Sequence, residues 1–131
     1  MIQAFTRYIA ANTALTIGTD LYAGHRPSNA PDACDVVLDR IGPITTWNRA
    51  SRFQLSLQVL SRASSYFAAS ERAQTIHELF DGMTGLILLD GAGVPQYKLD
   101  TCQARGPASI GQDDLSRFEF STNYDCRVSR L

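Results

Sequence analysis

The residues Arg52-Phe53-Gln54-Leu55-Ser56-Leu57-Gln58-Val59 place an apolar side chain at every second position: Phe53, Leu55, Leu57 and Val59. Such alternation gives a strand one buried face and one wet face. A break follows at Ser61–Ser65, and then the period changes. Ala69, Ala73, Ile76, Phe80 and Met83 recur every three or four residues, which is a helix with a single apolar stripe. Ser65 or Ser70 caps that helix, and Asp81-Gly82 ends it. A half-wet strand and a half-wet helix bury each other's apolar faces when the helix lies across the sheet. The stretch Ser51–Met83 therefore predicts an α+β unit, and it names no chemistry.

The flanking sequence extends this unit. Residues 2–14 read as a helix, with Ile2, Phe5 and Ile9 on one side and Gly18 as its stop. Leu21-Tyr22-Ala23 and Ala33–Arg40 read as strands on either side of a Pro-containing loop, His25–Pro31, and the second strand ends at Gly42-Pro43. Downstream, Leu86–Leu89 fits a buried strand and Asp90–Gly93 a turn. Gln96–Arg105 is a strand with Tyr97, Leu99 and Thr101 on one face and Lys98, Asp100 and Cys102 on the other, interrupted by Gly106-Pro107. The last strand is the cleanest: Phe118, Phe120, Thr122, Tyr124, Cys126 and Val128 alternate strictly with polar residues. The expected fold is α+β, a mostly antiparallel β-sheet of about five or six strands with an N-terminal helix and one long central helix packed on it. It forms a single domain over residues 1–131, a length that suits one core.

Bulk properties exclude several classes. With 44% hydrophobic and 19% charged residues the composition is that of an ordinary globular protein. The net charge of −1 supplies no global field toward nucleic acid or an acidic membrane. No apolar run approaches the ~20 residues a membrane span needs, and the first residues lack the order of a secretion signal. All basic residues but Lys98 are arginine, which favours planar, bidentate contacts, although codon bias gives the same count. Cys34, Cys102 and Cys126 are odd in number and far apart, a pattern of small core residues in a reducing compartment.

Tests for chemistry return little. His25 and His77 lie in no metal-binding pair, and the cysteines show no Cys-x-x-Cys spacing, so no metal and no cofactor is expected. Ser109 has no histidine near it in sequence and no Gly-x-Ser-x-Gly elbow around it. A Cys34–His25 pair would have to form across a loop. Asp32, Asp35, Asp39, Asp113 and Asp114 supply carboxylates, each at a position where aspartate caps or bends the backbone. Gly91-Ala92-Gly93 leads into Pro95 and a strand, where a dinucleotide loop needs a helix N-terminus. Arg49, Arg52 and Arg62 near Trp47 and Phe53 form no known nucleic-acid motif. No catalytic residue is assigned, and the chain is not expected to be an enzyme.

Three stretches together resemble a known family. Gly18-Thr19-Asp20-Leu21-Tyr22-Ala23-Gly24, Asn29-Ala30-Pro31-Asp32 and Val36-Val37-Leu38-Asp39 resemble the opening of small bacteriophage minor capsid proteins. Tyr66, Ala69, Ala73, Ile76, Leu79 and Gly82 match the middle helix, and Ile110–Asp114 with Arg117–Ser121 is similar to the last strand of phage tail completion proteins. Gly42-Pro43 departs from the pattern, which has a double glycine there. The resemblance implies a tail terminator, or a head-to-tail joining protein, located in the virion tail or neck and made in the bacterial host cytoplasm. It implies a homo-oligomeric ring, a hexamer, that meets the tail tube protein and head or neck connector proteins, with DNA near the ring lumen and no membrane. A head-completion or connector role in the same neck region is the close alternative. A small ligand- or nucleic-acid-binding module is the alternative from another class.

A ring repeats one heterologous contact, so each subunit must offer two different patches. The mixed charges of Arg117, Glu119, Asp125 and Arg127 on the last strand suggest one. The connection Ile44–Ala50, with Trp47 and Arg49, suggests the other.

Overall fold

The computed structural model describes residues 1–46 and 49–131, with side chains outside 43–50. Eight elements follow one another: α1 (Ile2–Asn12), β1 (Leu21–Ala23), β2 (Cys34–Thr46), β3 (Arg49–Ala63), α2 (Tyr66–Phe80), β4 (Leu86–Leu89), β5 (Pro95–Gln112) and β6 (Phe118–Arg130). The strands form one six-stranded sheet in the order β1-β2-β3-β6-β5-β4. β1 runs parallel to β2, and every other neighbouring pair is antiparallel, so the sheet is mixed.

The expectation of one long central helix needs correction. α2 has 15 residues and α1 has 11, while β5 has 18 and β3 has 15. At 1.5 Å per helical residue and about 3.3 Å per strand residue, α2 is roughly 22 Å long and β5 roughly 60 Å. The sheet, not a helix, dominates the chain. Two local facts set the bounds of α2. Its start waits for β3, which runs to Ala63 because it is paired on both sides: Cys34 stands opposite Arg62, and Phe118 opposite Ala63. Ser65 then caps the helix, its hydroxyl accepting from the Ala68 amide at 3.2 Å. At the other end Gly82 turns to φ +70, which puts Met83 outside the helix. The Gly82 amide donates to the Cys102 carbonyl and the Cys102 amide to the Met83 carbonyl, which pins the helix end to β5.

Two proline positions that look like breaks are passed by strands. β2 continues through Gly42-Pro43 to Thr46, and β5 through Gly106-Pro107 to Gln112. Both strands absorb the irregularity as register shifts, on β2 between Asp39 and Ile44 and on β5 between Arg105 and Ala108. A further shift between Leu99 and Thr101 inverts the expected faces, so Cys102 joins Leu99 in the core and Thr101 is exposed. α1 stops at Asn12, before the expected position 14: Thr13 turns extended and its hydroxyl donates to the Ile9 carbonyl at 2.7 Å.

Both helices cover one face of the sheet. Phe5 and Ile9 of α1 and Ile76 and Phe80 of α2 meet Phe53, Leu55, Leu57 and Val59 of β3 and Tyr124, Cys126 and Val128 of β6 in one core. The Phe5 and Phe80 rings stack with centroids 3.9 Å apart and planes 11° apart, and Tyr124 leans on both at 5.6 Å. Cys34, Cys102 and Cys126 are buried and form no disulfide, in keeping with their reading as core residues, and the Cys102 and Cys126 thiols lie 3.7 Å apart. No helix among the described residues is long and apolar enough to cross a membrane.

Candidate interaction surface

Among the described residues, no helix covers the other face of the sheet. Its residues are the polar half of the alternation: Gln54, Ser56 and Gln58 on β3 stand opposite Arg127, Asp125 and Asn123 on β6. Gln58 donates to Ser121 at 2.9 Å, and Ser56 donates to Asp125 at 2.5 Å. Arg105 of β5 reaches the second Asp125 oxygen at 2.9 Å. Gln54, Ser56, Arg105 and Asp125 floor a shallow trough of about 370 Å³, bounded by Ile41, Thr101, Gln103 and Arg127.

The four expected charges on and beside β6 separate into two units. Arg117 and Glu119 lie at the β5–β6 turn and are held inside the chain. Arg117 donates to Asp113 at 2.7 Å and to Asp32 at 3.3 Å, and Arg26 meets Glu119 at 3.1 Å. Asp113 also accepts from the amides of Leu115 and Arg117, which fixes the turn. Asp125 and Arg127 lie some distance along the strand, toward the β2–β3 connection. Asp125 is engaged by Ser56 and Arg105, whereas the exposed guanidinium of Arg127 has no partner among the described residues. Trp47 and the Arg49 side chain, expected to form the second patch, fall outside the described residues.

The loop His25–Pro31 is tied down from both sides. Arg26 is paired with Glu119 and donates to the Leu60 carbonyl, while buried Arg62 donates to the carbonyls of Pro31 and Asp32. Asp35 is wholly buried at the start of β2. It accepts from Arg72 of α2, whose guanidinium lies 2.8 Å away. Burial pushes the Asp35 carboxyl above its ordinary range, and Arg72 opposes that rise.

Little here resembles a reactive centre. Burial raises the Cys34 thiol, which disfavours the nucleophilic thiolate. His77 sits 3.4 Å from Asp81 one helical turn on, a local pairing at the end of α2. Among the described residues no group of His, Cys, Asp and Glu is placed to hold a metal ion.

Sequence reasoning missed the exposed apolar residues. Phe67 at the start of α2 is 80% exposed, and Leu115 in the β5–β6 turn is 71% exposed. Ile110 on β5 and Ile41 on β2 are about half exposed. Leu115 left a trace, a large apolar residue between Asp114 and Ser116 where turn residues are normally polar.

Among curated protein sequences, none matches this one. Among solved structures, a chain from the virion of a native gene transfer agent (GTA) particle superposes with a TM-score of 0.65 over 98% of this chain and 91% of its own, at 13% identity. A second solved chain, also 13% identical, gives a TM-score of 0.55 over 98% and 89%. At such identity the likeness concerns the fold alone. Residues 8–130, nearly the whole chain, match the family described as bacteriophage tail terminator protein, so this chain belongs to the tail terminators and is a structural protein of a phage or phage-like virion.

Proposed function

We propose that the chain is a ring-forming tail terminator subunit, six copies of which cap the tail tube and join it to the neck. The observation that carries this reading is the family match, which runs from α1 to the end of β6 and omits no element that builds the sheet. In this role the protein performs no reaction. Its products are shape and contact, with the tail tube protein on one side, neck connector proteins on the other, and DNA passing near the lumen.

We propose the subunit contacts in a different grouping from the one expected, dividing the four charges of the single β6 patch by their place along the strand. Arg127 and Asp125 lie on the half of β6 that pairs with the start of β3, and Arg117 and Glu119 lie at the opposite end of β6. Two ends of one sheet are two unlike patches, as a heterologous ring contact requires.

The experiment is to add the purified chain to tail tubes and image them. One ring at one end of each tube, with elongation halted, is the expected result. Tubes that keep growing and carry no ring would sink this reading.

A further inference from the structure

We propose that neighbouring subunits join by strand pairing, with the outer edge of β5 in one copy adding to the outer edge of β2 in the next. This rests on the ring reading and specifies the contact that would build it.

The outermost strands are too short to cover the strands they flank. β4 reaches only Pro95–Leu99 of β5, and Cys102 is taken up by Gly82 and Met83. Beyond that, residues 104–112 have no outer neighbour among the described residues. β1 reaches only Asp35–Val37 of β2, so residues 38–46 likewise have no outer neighbour on that side among the described residues. Each open segment is nine residues long, about 30 Å of strand. Unpaired strand edges of this length are templates for another strand.

The two edges fit each other in place and direction. β2, β3, β6 and β5 alternate in direction, so β2 and β5 are antiparallel at opposite margins of the sheet. The open half of β2 lies at the β2–β3 connection, and the open half of β5 at the far end, beside the β5–β6 turn. A second copy shifted along the sheet, without being turned over, therefore brings its β2 antiparallel to the first copy's β5. The contact is heterologous and repeats from copy to copy, which closes into a ring when each step also rotates.

Backbone polarity supports the pairing. Cys102 directs its amide and carbonyl outward, so Gln103 faces β6, opposite Asp125. Following the register past the two shifts, Ala104, Ser109 and Gln112 stand opposite Tyr124, Phe120 and Phe118, which places their amides and carbonyls on the open side. Among the described side chains each edge also carries a large exposed apolar residue, Ile110 on β5 and Ile41 on β2. Antiparallel pairing one residue from the end-to-end match sets these two opposite each other. Pro43 and Pro107 and the register shifts beside them interrupt each edge, which hinders pairing with strands of arbitrary sequence.

The test is the full-length Ile41→Cys/Ile110→Cys double variant, assembled alone and on tail tubes, then oxidised with a copper–phenanthroline catalyst. The three native cysteines are buried. A covalent ladder of multimers from the double variant, with each single variant left monomeric, is the expected result. Rings that form without a ladder overturn the edge contact and leave the ring reading standing. Covalent dimers from either single variant indicate a two-fold contact and also overturn it. A chain that forms no ring alone or on tubes overturns both. Amide exchange gives a second readout without substitution: Ala104, Ser109 and Gln112 slow on assembly, and unchanged exchange there overturns the contact.

Discussion

Arg72 of α2 and Asp35 of β2, 37 positions apart in sequence, form an ion pair of 2.8 Å in which the carboxylate has no exposure to solvent. The same guanidinium lies 3.7 Å from Asp20, just before β1. One arginine thus ties α2 to the parallel margin of the sheet. The pair is a constraint on geometry more than a source of stability, because moving two charges out of water offsets most of their attraction.

Removing Arg72 leaves Asp35 buried without its counter-charge, so Arg72→Met is expected to cost roughly 3 kcal/mol at neutral pH. The cost depends on pH in a definite direction. Asp35 is already raised above 3.8 by burial, and loss of Arg72 raises it further. A raised acid binds its proton more tightly in the folded chain than in the unfolded one, so its stabilising effect is present at low pH and is lost as pH rises through the folded value. The variant should therefore lie closer to wild type at pH 5 than at pH 8 in denaturant titrations. A gap that widens on acidification would rule this out.

Phe80→Ala should be among the costliest single changes, at about 4 kcal/mol. The ring is fully buried, stacks on Phe5 and is approached by Tyr8 and Tyr124, so its loss opens a cavity where α1, α2 and β6 meet. Amide exchange in α1 should speed up along with the fall in denaturation midpoint. A cost below about 1 kcal/mol would mean that the core collapses around the gap.

Much of this fold was legible wherever one face of an element is dry and the other wet. The alternation on β6 from Phe120 to Val128 and on β3 from Phe53 to Val59 puts every expected apolar position in the core, because both helices lie on one face, while Phe118 is half-buried and Ser56 and Ser121 of the polar side are buried as well. The stripe of Ala69, Ala73, Ile76 and Phe80 is the buried face of α2. Strand lengths were not legible, since Gly42-Pro43 and Gly106-Pro107 carry the local signal of a break and only cross-strand pairing carries the chain past them. The charges of the candidate surface were visible as residues but not as partners: Glu119 is satisfied by Arg26, 93 positions away, and Arg117 by Asp32, 85 positions away. The Asp113–Arg117 pair, four positions apart, is the one such contact that spacing could have suggested.

Gly106 sits at the shift in β5 with φ +103, a conformation L side chains rarely adopt, and a Cβ there would stand 2.8 Å from the Ser121 carbonyl oxygen. Gly106→Ala should cost about 2 kcal/mol from backbone strain and this clash. The disturbance should centre on residues 104–112 and on Ser121 and Thr122, visible as local chemical-shift changes. Shifts spread over α1 and β1 instead would contradict this placement.

Ser65→Ala removes the hydroxyl that accepts from the Ala68 amide and should cost about 1 kcal/mol. Ser70, the other candidate cap, lies within α2, so Ser70→Ala should be within about 0.5 kcal/mol of wild type. Equal effects of the two substitutions would mean that the helix starts elsewhere.

Arg127 and Arg117 offer a separation of assembly from folding. Arg117→Glu would face a new carboxylate toward Asp113 and Asp32, so it should lower stability before any partner is involved. A Arg117→Glu/Arg127→Glu double variant that fails to assemble would therefore be ambiguous. Arg127 is exposed, with no partner among the described residues, so Arg127→Glu should leave the denaturation midpoint within about 0.5 kcal/mol of wild type. If the β2–β3 end of the sheet is a subunit contact, this single variant should still lose ring mass in native mass spectrometry, and more so at low salt, where repulsion between exposed charges is least screened. Rings of unchanged mass and stability in Arg127→Glu would remove this arginine from the interface and leave it a solvated charge on an open sheet face.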